Sequence, residues 1–305
     1  LSGKIPRCPN CYPVNYSTSA GELELFDYLK LILPNNTTII HNDRRILKGK
    51  ELDIYIPEYD LAIEYNGVYW HSELQGKDKN YHLNKTKECE KQNVQLLHIW
   101  DTEWIYKNNI IKSMIKSKLG LITNKIYARK CVIKEINSPE SEAFMVENHI
   151  QGNINSKIKL GLFYNNKLVS VMTFGKNRFK KNSDEWELYR SATKLNTTVV
   201  GGIGKILNYF TKNYSTNLIT FLDKRFSTLN NYYSKHNWKL NDINPNYSYT
   251  DGHQCVGSRI KFQKHKLKSI LKNFDSNLTE WQNMQLNGYD RVWDCGNLKY
   301  KMVER

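Results

Sequence analysis

Leu25, Phe26, Leu29, Ile32 and Leu33 recur at helical spacing in STSAGELELFDYLKLIL, and Ser19 stands three residues before Glu22. A capped amphipathic helix that ends before Pro34 is therefore expected. Period two takes over downstream: TTIIHNDRRIL reads as a strand, and KGKELDIYIPEYDLAIEYNGVYWHSE as two strands joined by a tight turn. NYHLNKTKECEKQN then reads as a polar-faced helix, VQLLHIWDTEW as a buried strand, and IYKNNIIKSMIKSKLG as a helix closed by Gly120. This order describes a compact α/β unit over residues 18–124.

A second α/β unit is expected over residues 125–243. IKLGLFYNNKLVSVMTFG is a hairpin turning on Asn165 and Asn166, EWELYRSAT a strand, and VVGGIGKILNYFTKNY a glycine loop entering a helix. LITFLDKRF reads as a strand and TLNNYYSKHNW as a short helix, and residues 244–305 as a basic, aromatic and irregular segment.

With 305 residues, 40% of them hydrophobic and 25% charged, the chain has enough apolar material for two or three cored domains. It lacks the long apolar run of a membrane span and the hydrophobic region of a signal peptide, so a cytoplasmic protein is expected. Six scattered cysteines argue against a disulfide framework. Cys8 and Cys11 alone form a motif, in residues 1–17: a Cys-x-x-Cys knuckle of the kind that supplies half of a zinc site, or else an inert or redox pair. A net charge of +15 points to a polyanionic partner, nucleic acid being the commonest.

The hairpin carries the candidate chemistry. A turn centred between Glu58 and Tyr59 sets Asp53 opposite Glu64, with Cβ atoms about 4.5 to 5.5 Å apart. Two carboxylates that close repel unless a cation or proton intervenes, and Mg²⁺ relieves this while keeping ligand positions for water and phosphate. His71 follows closely, and imidazole suits proton transfer in phosphodiester hydrolysis.

ELDIYIPEYDLAIEYNGVYWH resembles the core of the very short patch repair endonucleases, a branch of the PD-(D/E)xK nuclease superfamily, and more closely the homing endonucleases of phages and mobile elements built on that core. Asp53, Gly67, Tyr69, Trp70 and His71 carry the likeness. It implies Asp53 as main metal ligand, the backbone carbonyl near Tyr65 as a second, and His71 as general base or phosphate-activating group. Glu22 matches the helix-borne acid of such sites, with Glu24 as runner-up. The superfamily's Glu-x-Lys is here Glu64-Tyr65-Asn66, which shifts the lysine's work towards His71. A further active-site position falls near His82, which with Lys85 one helical turn later could address the phosphate, unless that helix face is simply solvated.

The second unit resembles the acetyl-CoA-dependent N-acetyltransferase fold, although Val199 stands where that pattern carries Arg or Gln. Its glycine loop, Gly201 to Gly204, could hold a phosphate or permit tight packing. Arg259, Lys261, Lys264, Lys266 and Lys268 lie near Phe262, and Arg291 and Lys299 among Tyr289, Trp293 and Tyr300. This mixture suggests double-stranded DNA contact. The expected protein is an α/β multidomain, Mg²⁺-dependent endonuclease with a restriction-endonuclease-like core, an acetyltransferase-like domain and a basic DNA-recognition segment. Its rivals are an acetyltransferase and a non-catalytic DNA-binding protein with a decayed nuclease core.

Overall fold

The computed structural model describes residues 18–180 and 182–303. The first unit runs α1 (Ala20–Ile32), β1 (Ile40–Leu47), β2 (Lys50–Ile56), β3 (Leu61–Asn66), α2 (Tyr81–Glu90), β4 (Gln95–Trp100), α3 (Asp101–Tyr106) and α4 (Asn108–Lys118). Ser19 and Glu22 form the expected capping box, and α1 ends as Leu33 turns extended ahead of Pro34, where a following proline disfavours helix. The sheet has order β1-β2-β3-β4, antiparallel except for the parallel pair β3–β4 that α2 connects.

Its two faces differ in chemistry. Leu25 and Leu29 of α1 are fully buried with Ile54, Ile56, Ile63, Ile99, Trp104 and Ile111 on one side. Each such aliphatic side chain contributes about 1.5 to 3 kcal/mol. The other face holds Ala62, Leu96 and Cys89, and also the buried polar residues Glu64, Asn66 and His98 under α2. Glu64, Asn66 and His98 each have a side-chain partner there, as buried polar residues need.

The second unit comprises β5 (Lys125–Tyr127), β6 (Val132–Glu135), α5 (Ser138–Asn148), β7 (Ile158–Tyr164), β8 (Lys167–Lys176), β9 (Trp186–Thr193), β10 (Thr198–Val200), α6 (Gly202–Asn213), β11 (Leu218–Asp223) and β12 (Trp238–Asn244). Then follow β13 (Tyr247–Thr250), β14 (Cys255–Ser258), α7 (Lys264–Ile270), α8 (Glu280–Leu286), β15 (Asp290–Trp293) and β16 (Asn297–Met302). The main sheet has seven strands in order β12-β16-β11-β9-β8-β7-β6. Phe174, Trp186, Leu188, Ile206 and Phe210 form its core against α6. Asn165 and Asn166 take positive φ (48° and 58°) at the expected β7–β8 turn, as a type I′ hairpin demands. The molecule is thus a mixed α/β multidomain protein.

Several expectations change. DTEW is helical, because the Glu103 side chain accepts the Trp100 N–H and starts α3. TLNNYYSKHNW contains only the short turn Tyr233–Lys235, held by the Asn231 side chain. The expected border between residues 243 and 244 falls inside β12, and β16 inserts between β12 and β11. What stands apart is a small module of three strands, β14-β13-β15, with α7 and α8, inserted between β12 and β16. It has its own core of Tyr249, Phe262, Leu267 and Met284. Phe262 and Tyr300, expected among the DNA-facing aromatics, are buried packing residues.

Candidate functional site

The register Ile54↔Ile63, Tyr55↔Ala62, Ile56↔Leu61 matches the hairpin symmetry expected from the sequence, and Asp60 in the left-handed region closes the turn. Asp53 and Glu64 come next along this ladder. There they exchange side-chain for backbone bonds: Asp53 Oδ2 accepts the Tyr65 N–H at 2.7 Å, and Glu64 Oε1 accepts the Asp53 N–H at 3.3 Å. Tyr65 therefore meets Asp53 through its N–H, whereas the expectation was a role for its carbonyl.

Charge is concentrated around this pair. Burial, then the Glu64 and Glu22 carboxylates, push the Asp53 carboxyl well above the usual range. Glu22 accepts a hydrogen bond from the Ser19 N–H and lies 2.7 Å from His41 Nε2. Burial comes first in raising its carboxyl too, opposed by the His41 contact. Glu24, the alternative acid, instead accepts from Trp104 Nε1 at 3.4 Å.

The lysine absent from β3 arrives from α2. Lys85 donates to Glu64 Oε2, and the two side chains are only 11% and 3% exposed. Burial by itself lowers the Lys85 ammonium, but the Glu64 charge and hydrogen bond outweigh it, so the group is held above its ordinary value. Asn66 is occupied elsewhere: its amide bonds His98 Nδ1 at 3.2 Å. With His98 Nδ1 accepting, its Nε2–H donates to Thr86 Oγ1 at 2.9 Å.

His71 and His82 form a direct pair, Nδ1 to Nε2 at 2.9 Å, with rings stacked 5.2 Å apart and Trp100 packed edge-on to both. Burial, then Lys77 and Lys85, lower His71 to about 3. His82 is likewise held well below its ordinary value, by burial first and then by His71 and Lys85. Both rings are neutral near pH 7. Partly exposed Asp53 and His71 thus sit over buried Glu64, His82 and Lys85.

Cys8 and Cys11 fall outside the described residues, so the zinc expectation has no structural counterpart here. Arg291 pairs with Glu73 of the first unit at 2.6 Å. Lys299 lies on β16 within the main sheet, its ammonium 5.8 Å from the Phe221 ring centre. Of the basic run, Arg259, Lys261, Lys264 and Lys268 are exposed, while Lys266 is half-buried and donates to the Ile260 carbonyl at 2.8 Å. At the glycine loop, Gly201 adopts φ +76°, and Lys205 donates to the Ala128 carbonyl at 2.9 Å and to the Cys131 carbonyl.

His41, Thr86 and His98 were not anticipated. A histidine within the apolar run LLHIW was the available signal, since a polar residue on a buried strand needs a partner. Hard oxygen donors of Asp53, Glu64 and Glu22 suit Mg²⁺, which commonly takes one or two carboxylates and keeps its waters. Among the described residues, no three His, Cys, Asp or Glu side chains converge closely enough to hold a metal ion by themselves. No helix of the described residues is long and apolar enough to cross a membrane.

No family model matches the sequence, and no curated protein matches it. Among solved structures, the chain is similar to a Bacillus subtilis acetyltransferase in complex with CoA, at 11% identity and TM-score 0.31, over 58% of this chain and 100% of that one. It is also similar to a GNAT family acetyltransferase from Elizabethkingia anophelis with acetyl-CoA bound, at 13% identity and TM-score 0.32, over 57% of this chain and 99% of that one. Likenesses this weak carry no weight for activity.

Proposed function

We propose that the protein is a Mg²⁺-dependent endonuclease of duplex DNA, of the homing type, whose first unit is a restriction-endonuclease-like core. The observation that carries this reading is the acid pair Asp53 and Glu64, with the Lys85 ammonium on Glu64 and the neutral His71–His82 pair beside it. Lys85 supplies from α2 the positive charge that the Glu-x-Lys pattern would have supplied from β3. Asp53 is the principal residue to hold the metal, with Glu64 and Glu22 in support. When bound, Mg²⁺ would supply charge neutralisation at the scissile phosphate.

The protein's own groups have separate tasks in this reading. Lys85 neutralises Glu64 and presents positive charge towards an incoming phosphate. His71, neutral and bonded to His82 through Nδ1, keeps Nε2 for the substrate, and an arriving phosphodiester's negative charge raises its basicity from about 3. DNA is the partner favoured by the net charge of +15 and by the exposed Arg259, Lys261, Lys264 and Lys268.

The test is incubation with long duplex DNA in Mg²⁺ or EDTA, alongside Asp53→Ala, His71→Ala and Lys85→Ala. Cutting in Mg²⁺ alone, reduced at least about 100-fold by Asp53→Ala and His71→Ala, is expected. Cutting that survives both substitutions sinks the site. Absence of cutting together with tight acetyl-CoA binding replaces the reading with a transferase, and DNA binding without either activity replaces it with a decayed core.

A further inference from the structure

His71 lies in a segment, residues 67–77, that belongs to no sheet of the first unit and is built from successive tight turns. His71 N–H donates to the Gly67 carbonyl at 3.0 Å, Gln75 N–H to Ser72 at 3.1 Å and Lys77 N–H to Ser72 at 3.2 Å. Within the first unit it is tied by the Asp101 carboxylate, which accepts the Val68 N–H at 3.2 Å, and by His82. Its further bonds go to β15, more than 200 residues later in the chain.

Those bonds are numerous and specific. Ser72 forms a β-bridge with Val292, and Leu74 N–H donates to Asp290 Oδ2 at 3.0 Å. Both oxygens of Glu73 are used: Oε1 by Arg291 Nη2 at 2.6 Å, and Oε2 by Trp293 Nε1 at 2.8 Å. Val292 is buried with Val68 and Trp100, the latter packed on His71 itself. The Arg291 guanidinium sits among three rings, 4.1 Å from Trp281, 5.4 Å from Tyr247 and 5.5 Å from Trp293. Such a cage fixes the plane of the guanidinium, and its Nη2 donates to Glu73.

We infer that Glu73, Arg291 and Trp293 are positioning residues for His71, so that the module inserted between β12 and β16 completes the candidate nuclease site from outside the nuclease unit. This rests on the nuclease reading for its catalytic consequence. Arg291 then acts inside the protein, where the sequence suggested a phosphate contact.

The two roles give opposite results for Glu73→Ala. If Arg291 serves DNA, removing an acid beside it tightens binding and leaves the rate at saturating DNA unchanged. If Glu73 braces the His71 segment, single-turnover cutting at saturating DNA falls about 10- to 100-fold, the usual effect of misplacing a catalytic group, with affinity little changed. Trp293→Phe keeps a smaller aromatic ring at this position and removes the Nε1 donor, so a smaller loss of the same kind is expected. Amide hydrogen exchange across residues 68–77 supplies a readout independent of activity. Faster exchange there in both variants, with the β2 and β3 amides unchanged, is expected. Tighter binding at unchanged rate, or unchanged exchange, overturns the inference. A wild-type protein that cuts no DNA defeats the nuclease reading, while the exchange experiment still decides the brace.

Discussion

His149 ends α5 with its Nδ1 accepting the Gln151 N–H at 3.1 Å, a bond that requires a bare nitrogen. Burial, then the Arg190 and Lys107 charges, hold its imidazole down to about 4 against an ordinary 6.5. As pH falls, the unfolded chain therefore takes up this proton before the folded one does. Stability from His149 is full above about 6.5 and is lost as pH falls through about 4. The drop in thermal midpoint between about pH 7.5 and pH 4.5 should be smaller for His149→Gln than for the wild type; an equal drop rejects the assignment. At this same scale, Asp53, Glu64 and His71 were legible because acids at alternating positions and a Trp-His pair are local patterns. The Lys85 to Glu64 bond was not, since a lysine on a polar-looking helix reads as solvated until the helix is laid on the sheet.

α1 shows how an element carries a candidate functional group. The Ser19 hydroxyl accepts the Glu22 N–H at 3.1 Å, and the Glu22 carboxylate accepts the Ser19 N–H in return while its other oxygen reaches His41. Ser19→Ala is expected to lower stability by about 1 kcal/mol in urea unfolding, and to loosen Glu22 against His41. No change in the urea midpoint would mean that the cap contributes nothing. Caps, the Asn165-Asn166 turn and the β2–β3 register could be read from the chain because each depends on residues a few positions apart. The helical DTEW could not, because its start depends on the side chain of Glu103 reaching back past an apparently continuous strand.

Across the whole molecule the two units are joined by buried charge. Lys224, with a side chain 1% exposed, pairs with Glu90 at the end of α2, and Arg225 bonds Glu103 of α3 as well as Asp223. Glu90→Ala strands the Lys224 ammonium and should cost about 2 to 3 kcal/mol, most of it recovered in Glu90→Ala with Lys224→Met. Denaturant melts of both proteins check this, and a single substitution without cost would show that the junction does not depend on the pair. The sequence by itself determined the order of elements in the first unit apart from α3, the hairpin register and the acids it aligns, because these follow from periodicity and local turn chemistry. Tertiary structure alone decided that β16 joins the main sheet beside Phe221, that Lys85 neutralises Glu64, and that Arg291 faces Glu73. Those contacts join segments whose approach is set by chain topology and core packing, and neither is written in the spacing of neighbouring residues.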